Sequence, residues 1–260
     1  MNLHAAARAV LAETAVEAKL AATAALHADW LAGRLCAEPW TDPEPLQEAG
    51  RPPRPVLVEP QRLPRRELDR PDGHAALIHA LAHIEFTAIN LAVDAVYRFP
   101  GLPQAYYADW LGVAAEEALH FRLLRDHLRT LGHDYGDFPA HGGLWAVAQQ
   151  SVHDPLLRMA LVPRLMEARG LDVTPGLRRK LLAHGDQAGA AILQRILHDE
   201  IGHVAAGDRW FRFLCQARGL EPARTWRALI GASDVPKPRP PFNVTARQAA
   251  GFDPSELAGW

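Results

Sequence analysis

Lysine is almost missing from this chain of 260 residues: of its 28 basic side chains only Lys19, Lys180 and Lys237 are lysines, and the formal net charge is -2. Charge so evenly balanced points to no polyanionic partner, and a preference for arginine beside abundant alanine reads as genomic base composition. Cysteine is scarce too. Cys36 and Cys215 are too few for a disulfide framework and lack metal-ligand spacing, so both are expected to be buried or idle thiols and any metal to be held by oxygen and nitrogen. No run of about 18 apolar residues exists, which excludes a membrane span on the usual length criterion. Glu13 and Glu17 interrupt what would be the apolar core of a signal peptide, so a cytoplasmic protein is expected. Convincing strand patterns are lacking as well.

What is present is helical. With 48% hydrophobic residues the chain can bury a sizeable core, as one large domain or two small ones. Residues 3 to 31 carry the pattern of a peripheral helix (Val10, Ala18, Leu20, Ala24, Leu31). From Pro39 to Pro71 nine prolines rule out regular helix and predict an extended strap. Core helices are expected over about 74–98, 104–131, 144–170 (bent at Pro155 or Pro163) and 186–218, with a long connection at 133–143. Thr174-Pro175 has the form of a start signal for a short helix. One more short helix beyond Pro222 and a Pro-rich tail, Pro236 to Pro241, complete the chain. The domain expectation is therefore 1–72 for the N-terminal helix and strap, 73–220 for a four-helix bundle, and 221–260 for the short helix and tail.

Within this frame one pattern occurs twice. Glu85 lies 32 residues before Glu117 in Glu116-Glu117-Ala118-Leu119-His120, and Glu167 lies 33 residues before Glu200 in Asp199-Glu200-Ile201-Gly202-His203. Residues three apart share a helix face, so the carboxylate and imidazole of Glu-x-x-His can hold one ion together. Chance alone supplies about one such spacing in a chain of this composition, so the context carries the argument. Trp110, Val113, Ala114, Phe121 and Leu124 surround Glu117, while Leu193, Ile196, Leu197, Val204 and Gly207 surround Glu200. Glu85 sits among Ile78, Leu81, Ala82, Ala88, Ile89 and Ala92; an unpaired ion in such a stripe costs several kcal/mol. Glu167 is set less favourably, with Pro163 and Arg164 at minus 4 and minus 3. Metal ligands are therefore expected at Glu85, Glu117, His120, Glu167, Glu200 and His203, on two helical hairpins joined by one longer crossover. Which carboxylates would bridge two ions cannot be read from the spacing. Glu116 and Asp199, each just before its motif glutamate, could orient a ligand imidazole, with Arg169 and Asp172 as further neighbours of Glu167. A second stripe, His79, His83, Thr87, Asn90 and Asp94, fits an inter-helix or solvated face better than a separate metal site. Tyr106 and Tyr107 fit packing better than redox chemistry.

This ligand order is that of ferritin-like di-iron and di-manganese bundles. More narrowly, His83-Ile84-Glu85, Glu116 to Phe121, Glu167 to Pro175 and Asp199 to Val204 resemble a bacterial ferritin-like family catalogued as domain of unknown function 455, over roughly residues 50 to 245. The resemblance implies an all-α fold with a ferritin-like four-helix bundle and a centre of two iron ions, two manganese ions or a mixed pair. Hard oxygen ligands and two imidazoles suit these metals. The function expected is an oxygen-activating oxidase or hydroxylase of a small substrate, with dioxygen and an electron-donor protein as partners. A ferroxidase or peroxide-defence protein, or a tRNA-nucleoside hydroxylase, is the alternative. A homodimer is compatible with this reading; membrane and nucleic-acid partners are not expected.

Overall fold

The computed structural model describes residues 1–39, 43–63, 67–70, 72–258 and 260. The described residues are all-helical, joined by irregular segments and two isolated β-bridges. They form two compact units, Met1–Trp145 and Ala146–Trp260.

The first unit is built on an antiparallel hairpin of α3 (Gly73–Arg98) and α4 (Gln104–Thr130). α3 is long and apolar enough to cross a membrane by length and composition, but 83% of its most apolar window is buried inside the fold, the position of a core helix. The expected helix over 3–31 is two helices, α1 (Leu3–Ala12) and α2 (Val16–Leu31). Glu13 explains the break: its carboxylate accepts from the N–H groups of Thr14 and Ala15, bonds that compete with helix continuation. Nor are these helices peripheral, since α1 packs on α3 and α2 on α4. Gly50 of the strap closes over the break and donates to the Leu11 carbonyl at 2.6 Å; a Cβ there would lie 2.4 Å from the Ala12 carbonyl oxygen, so only glycine fits. The strap is held further along by its own carbonyls. Glu44, Leu46 and Gln47 accept from Tyr97, Arg98 and Trp145, and Val58 pairs with Ala140. Strap residues 40–42, 64–66 and 71 lie outside the described residues, as does residue 259 of the tail.

The connection ends in a short α5 (Gly143–Gln149). In the second unit α6 (Pro155–Leu161) starts afresh, capped by the Asp154 carboxylate, so Pro155 begins a helix here instead of bending one. A π-helical turn, Val162–Glu167, follows, with the Ala168 N–H reaching back to the Pro163 carbonyl. Pro163 has no N–H to give to a regular helical bond, and the wider turn accommodates that gap. α7 (Ala168–Ala183) then runs straight through Pro175, where the sequence predicts a new start. The reason is distant in sequence. Pro175 cannot donate to the Leu171 carbonyl, and the Asn243 side-chain amide donates to it instead, at 3.1 Å. α8 (Gln187–Ala217) returns antiparallel to α7, and α9 (Pro222–Ala232), α10 (Val244–Ala249) and α11 (Pro254–Leu257) close the unit.

Arg164, in the π turn, fastens this closure. Its fully buried guanidinium lies 4.5–4.9 Å from the rings of Phe211, Trp226 and Phe252 and pairs with Asp208 (2.9 Å) and Glu256 (2.7 Å). Arg212 joins the same two carboxylates, both at 2.7 Å.

Candidate metal centre

Each unit gathers one of the two motifs. In the first, Glu85 projects from α3 and Glu117 and His120 from α4, with exposures of 6%, 0% and 0%. His120 Nδ1 lies 3.3 Å from a Glu117 oxygen and 3.5 Å from a Glu85 oxygen. These separations fit an ion. Donor atoms about 2.1 Å from one first-row metal, at the angles of an octahedron or tetrahedron, stand about 3.0–3.4 Å apart. The electrostatics agree with the geometry. Burial alone disfavours a charged imidazole, yet hydrogen bonds and charge from Glu117 and Glu85 push the His120 pKa up to about 11. Two carboxylates buried side by side attract positive charge between them, and a proton or a metal cation answers that demand at the same atoms.

In the second unit Glu200 and His203 share a face of α8, both buried, with His203 Nδ1 3.5 Å from a Glu200 oxygen. Glu167 is half-buried at the end of the π turn. A close approach sets its level on the helix pair. A Cβ on Gly207 would lie 2.2 Å from Pro163 Cβ, so the π turn and α8 touch where glycine meets proline. Four residues onward from Pro163 and four back along antiparallel α8 reach Glu167 and His203. Pro163, which weakens the sequence pattern around Glu167, and Gly207, one of the neighbours of Glu200, thus form the close contact between the π turn and α8.

The auxiliary candidates fare differently. Glu116 is exposed on α4, whereas Asp199 accepts from Arg195 at 2.5 Å. Arg169 is exposed, and Asp172 is engaged by Arg247 at 2.6 Å. The second stripe on α3 reaches other segments at His79, His83 and Asn90 and forms a pair within the helix at Asp94. His79 accepts from the Gly136 N–H at 3.0 Å, His83 meets the Tyr135 hydroxyl at 2.9 Å, Asn90 accepts from Lys19 at 2.5 Å, and Asp94 holds Arg98 at 2.7 Å. Burial, then the neighbouring His79, pulls the His83 pKa down to about 4. Tyr106 and Tyr107 donate to the carbonyls of Ala95 and Phe99, joining the start of α4 to the end of α3. Tyr107 is ten residues from Glu117, about 15 Å along a helix. Cys215 is buried and Cys36 exposed, both as free thiols.

A family model matches residues 12–258. The chain belongs to the family described as "Protein of unknown function (DUF455)". The match to DUF455 is wider than the span from 50 to 245 over which the motifs resemble that family, and takes in α2 and α11. An uncharacterized protein of Haemophilus influenzae is 46% identical over 213 residues, 79% of this chain and 74% of that one. No solved structure matches the chain.

Proposed function

We propose that this DUF455 protein is a ferritin-like metalloprotein with a dinuclear iron or manganese centre, acting as an oxygen-dependent oxidase or hydroxylase of a small organic substrate. On this reading the α3–α4 hairpin and the π turn with α7 and α8 are the two halves of a ferritin-like bundle, each contributing one glutamate and one Glu-x-x-His. Glu85, Glu117, His120, Glu167, Glu200 and His203 hold the ions. The observation that carries the proposal is the buried convergence of Glu85, Glu117 and His120, whose donor spacing suits one small cation. The bound metals would supply redox chemistry with dioxygen. The protein's own part is to fix the ligands on rigid helices and to exclude water with the apolar residues around them.

Elemental analysis of protein purified without added metal tests this. Close to two iron or manganese ions per chain, lost in a Glu117→Ala, Glu200→Ala double variant, is the expected result. Metal near zero that anaerobic Fe(II) does not restore would reduce the six residues to a buried polar network.

A further inference from the structure

A cavity of about 900 Å³ opens in the second unit between α7 and the Pro-rich tail. Its lining includes Arg169, Arg179 and Lys180 from α7, Lys237 and Arg239 from the tail, and Arg247 from α10. Asp172 is the one carboxylate in that lining, and Arg247 grips it through bonds of 2.6, 3.0 and 3.2 Å. Six cations against one carboxylate give this cleft a net +5, in a chain whose total is -2. Positive charge that is dispersed along the sequence is therefore concentrated in one concavity.

The cleft is built, not incidental. Asn243 ties the tail to α7 by donating its backbone N–H to Asp172 and its amide to the Leu171 carbonyl. Lys237 donates to the carbonyls of Ile230, Gly231 and Ser233, which fixes its ammonium at the end of α9. Prolines at 236, 238, 240 and 241 restrict the backbone of the wall between these anchors. Leu165, Val173 and Phe242 give the lining an apolar part, and the volume suits one small ligand.

We propose that this cleft binds a small soluble organic anion bearing a phosphate group. Arg169, Arg179 and Arg239 supply planar forks matched to phosphate oxygens, and the apolar lining takes the organic body. A long polyanion would call for a basic stripe across the surface; a single concave patch favours a compact ligand. The wall includes Leu165 and Met166, next in sequence to Glu167, so the ligand would lie beside the second half of the proposed metal centre. The anion site itself does not depend on metal being bound.

Isothermal titration of the full chain with AMP, as a phosphomonoester probe, tests the proposal. Saturable binding at one site is expected, weakened at least tenfold by Arg179→Ser with Arg239→Ser. Arg122→Ser with Arg224→Ser, exposed and outside the cleft, should leave it unchanged, and circular dichroism confirms that all variants fold. Binding should also persist in the Glu117→Ala, Glu200→Ala variant, which separates this site from the metal reading. The proposal is overturned by absent binding, by binding indifferent to the Arg179 and Arg239 changes, or by binding lost with the metal ligands. Capture by poly(U) or by phosphatidylglycerol vesicles without competition from AMP would equally overturn it.

Discussion

Replacing Gly207 by alanine should separate the two helices that position Glu167. The added methyl would stand 2.2 Å from Pro163 Cβ and 2.4 Å from its Cγ. Carbon atoms in ordinary contact are about 3.5–4.0 Å apart, so the π turn and α8 must part by more than about 1 Å. Both atoms belong to a ring fused to the backbone, and no rotamer change removes the clash. Overpacking of this kind costs about 1–3 kcal/mol, while alanine in place of glycine in a helix interior gains up to about 1 kcal/mol. Gly202, five residues earlier on α8, isolates the second effect, because a Cβ there would meet nothing within 4 Å. In chemical denaturation Gly202→Ala should raise stability by up to about 1 kcal/mol and Gly207→Ala lower it by roughly 1–2 kcal/mol. Metal content should fall only in Gly207→Ala, since Glu167 lies four residues from the displaced proline. If the two variants behave alike in both assays, the glycine–proline contact does not set the site.

Further outcomes follow from the buried polar groups. Arg164→Met should cost about 3–5 kcal/mol in urea denaturation, because it strips one buried partner from Asp208 and Glu256; a loss below about 1 kcal/mol would refute the clamp. Lys19, donating to Gly50 and Asn90, has its pKa lowered by burial to about 8 from the ordinary 10.5. Between those values the unfolded chain holds the proton that the folded chain has released, so stability should rise with pH from about 8 to 10.5, and the rise should vanish in Lys19→Met. His83, lowered to about 4, should stay neutral in an NMR titration until the pH nears that value, and titration close to 6.5 would contradict its burial. Tyr135→Phe removes the 2.9 Å bond to His83 and should cost about 1 kcal/mol.

How much of this was legible in the sequence depends on how local each feature is. The limits of α3, α4 and α8 fall within one or two residues of the expectation, because their apolar period lies in the helices themselves and their Gly and Pro stops lie just beyond the ends. The convergence of Glu85, Glu117 and His120 follows from the three-residue motif spacing and a hairpin joined by the short turn at residues 99–103. The break in the first helix, by contrast, turns on Glu13 choosing backbone amides, and Gly50, 37 residues later, seals it. Apart from the short run Arg178-Arg179-Lys180, the anion cleft left little trace in the sequence, since its cations come from two separate segments, 169–180 and 237–247, each mixed with apolar and proline residues.

Proline carries the same lesson in both directions. Read locally, Pro163 and Pro175 are places where a helix should bend or stop, because each removes one donor. In the structure neither ends its helix, and the two gaps are met differently: the π turn at Pro163 moves the next bond one residue further back, and Asn243 supplies the missing donor at Pro175 from 68 residues away. A breaker residue therefore fixes what must be compensated, and the partner that compensates it decides whether the helix continues. Where that partner is Asn243, the repair also docks the tail that forms one wall of the anion cleft, so a single side chain completes a helix and shapes a binding surface.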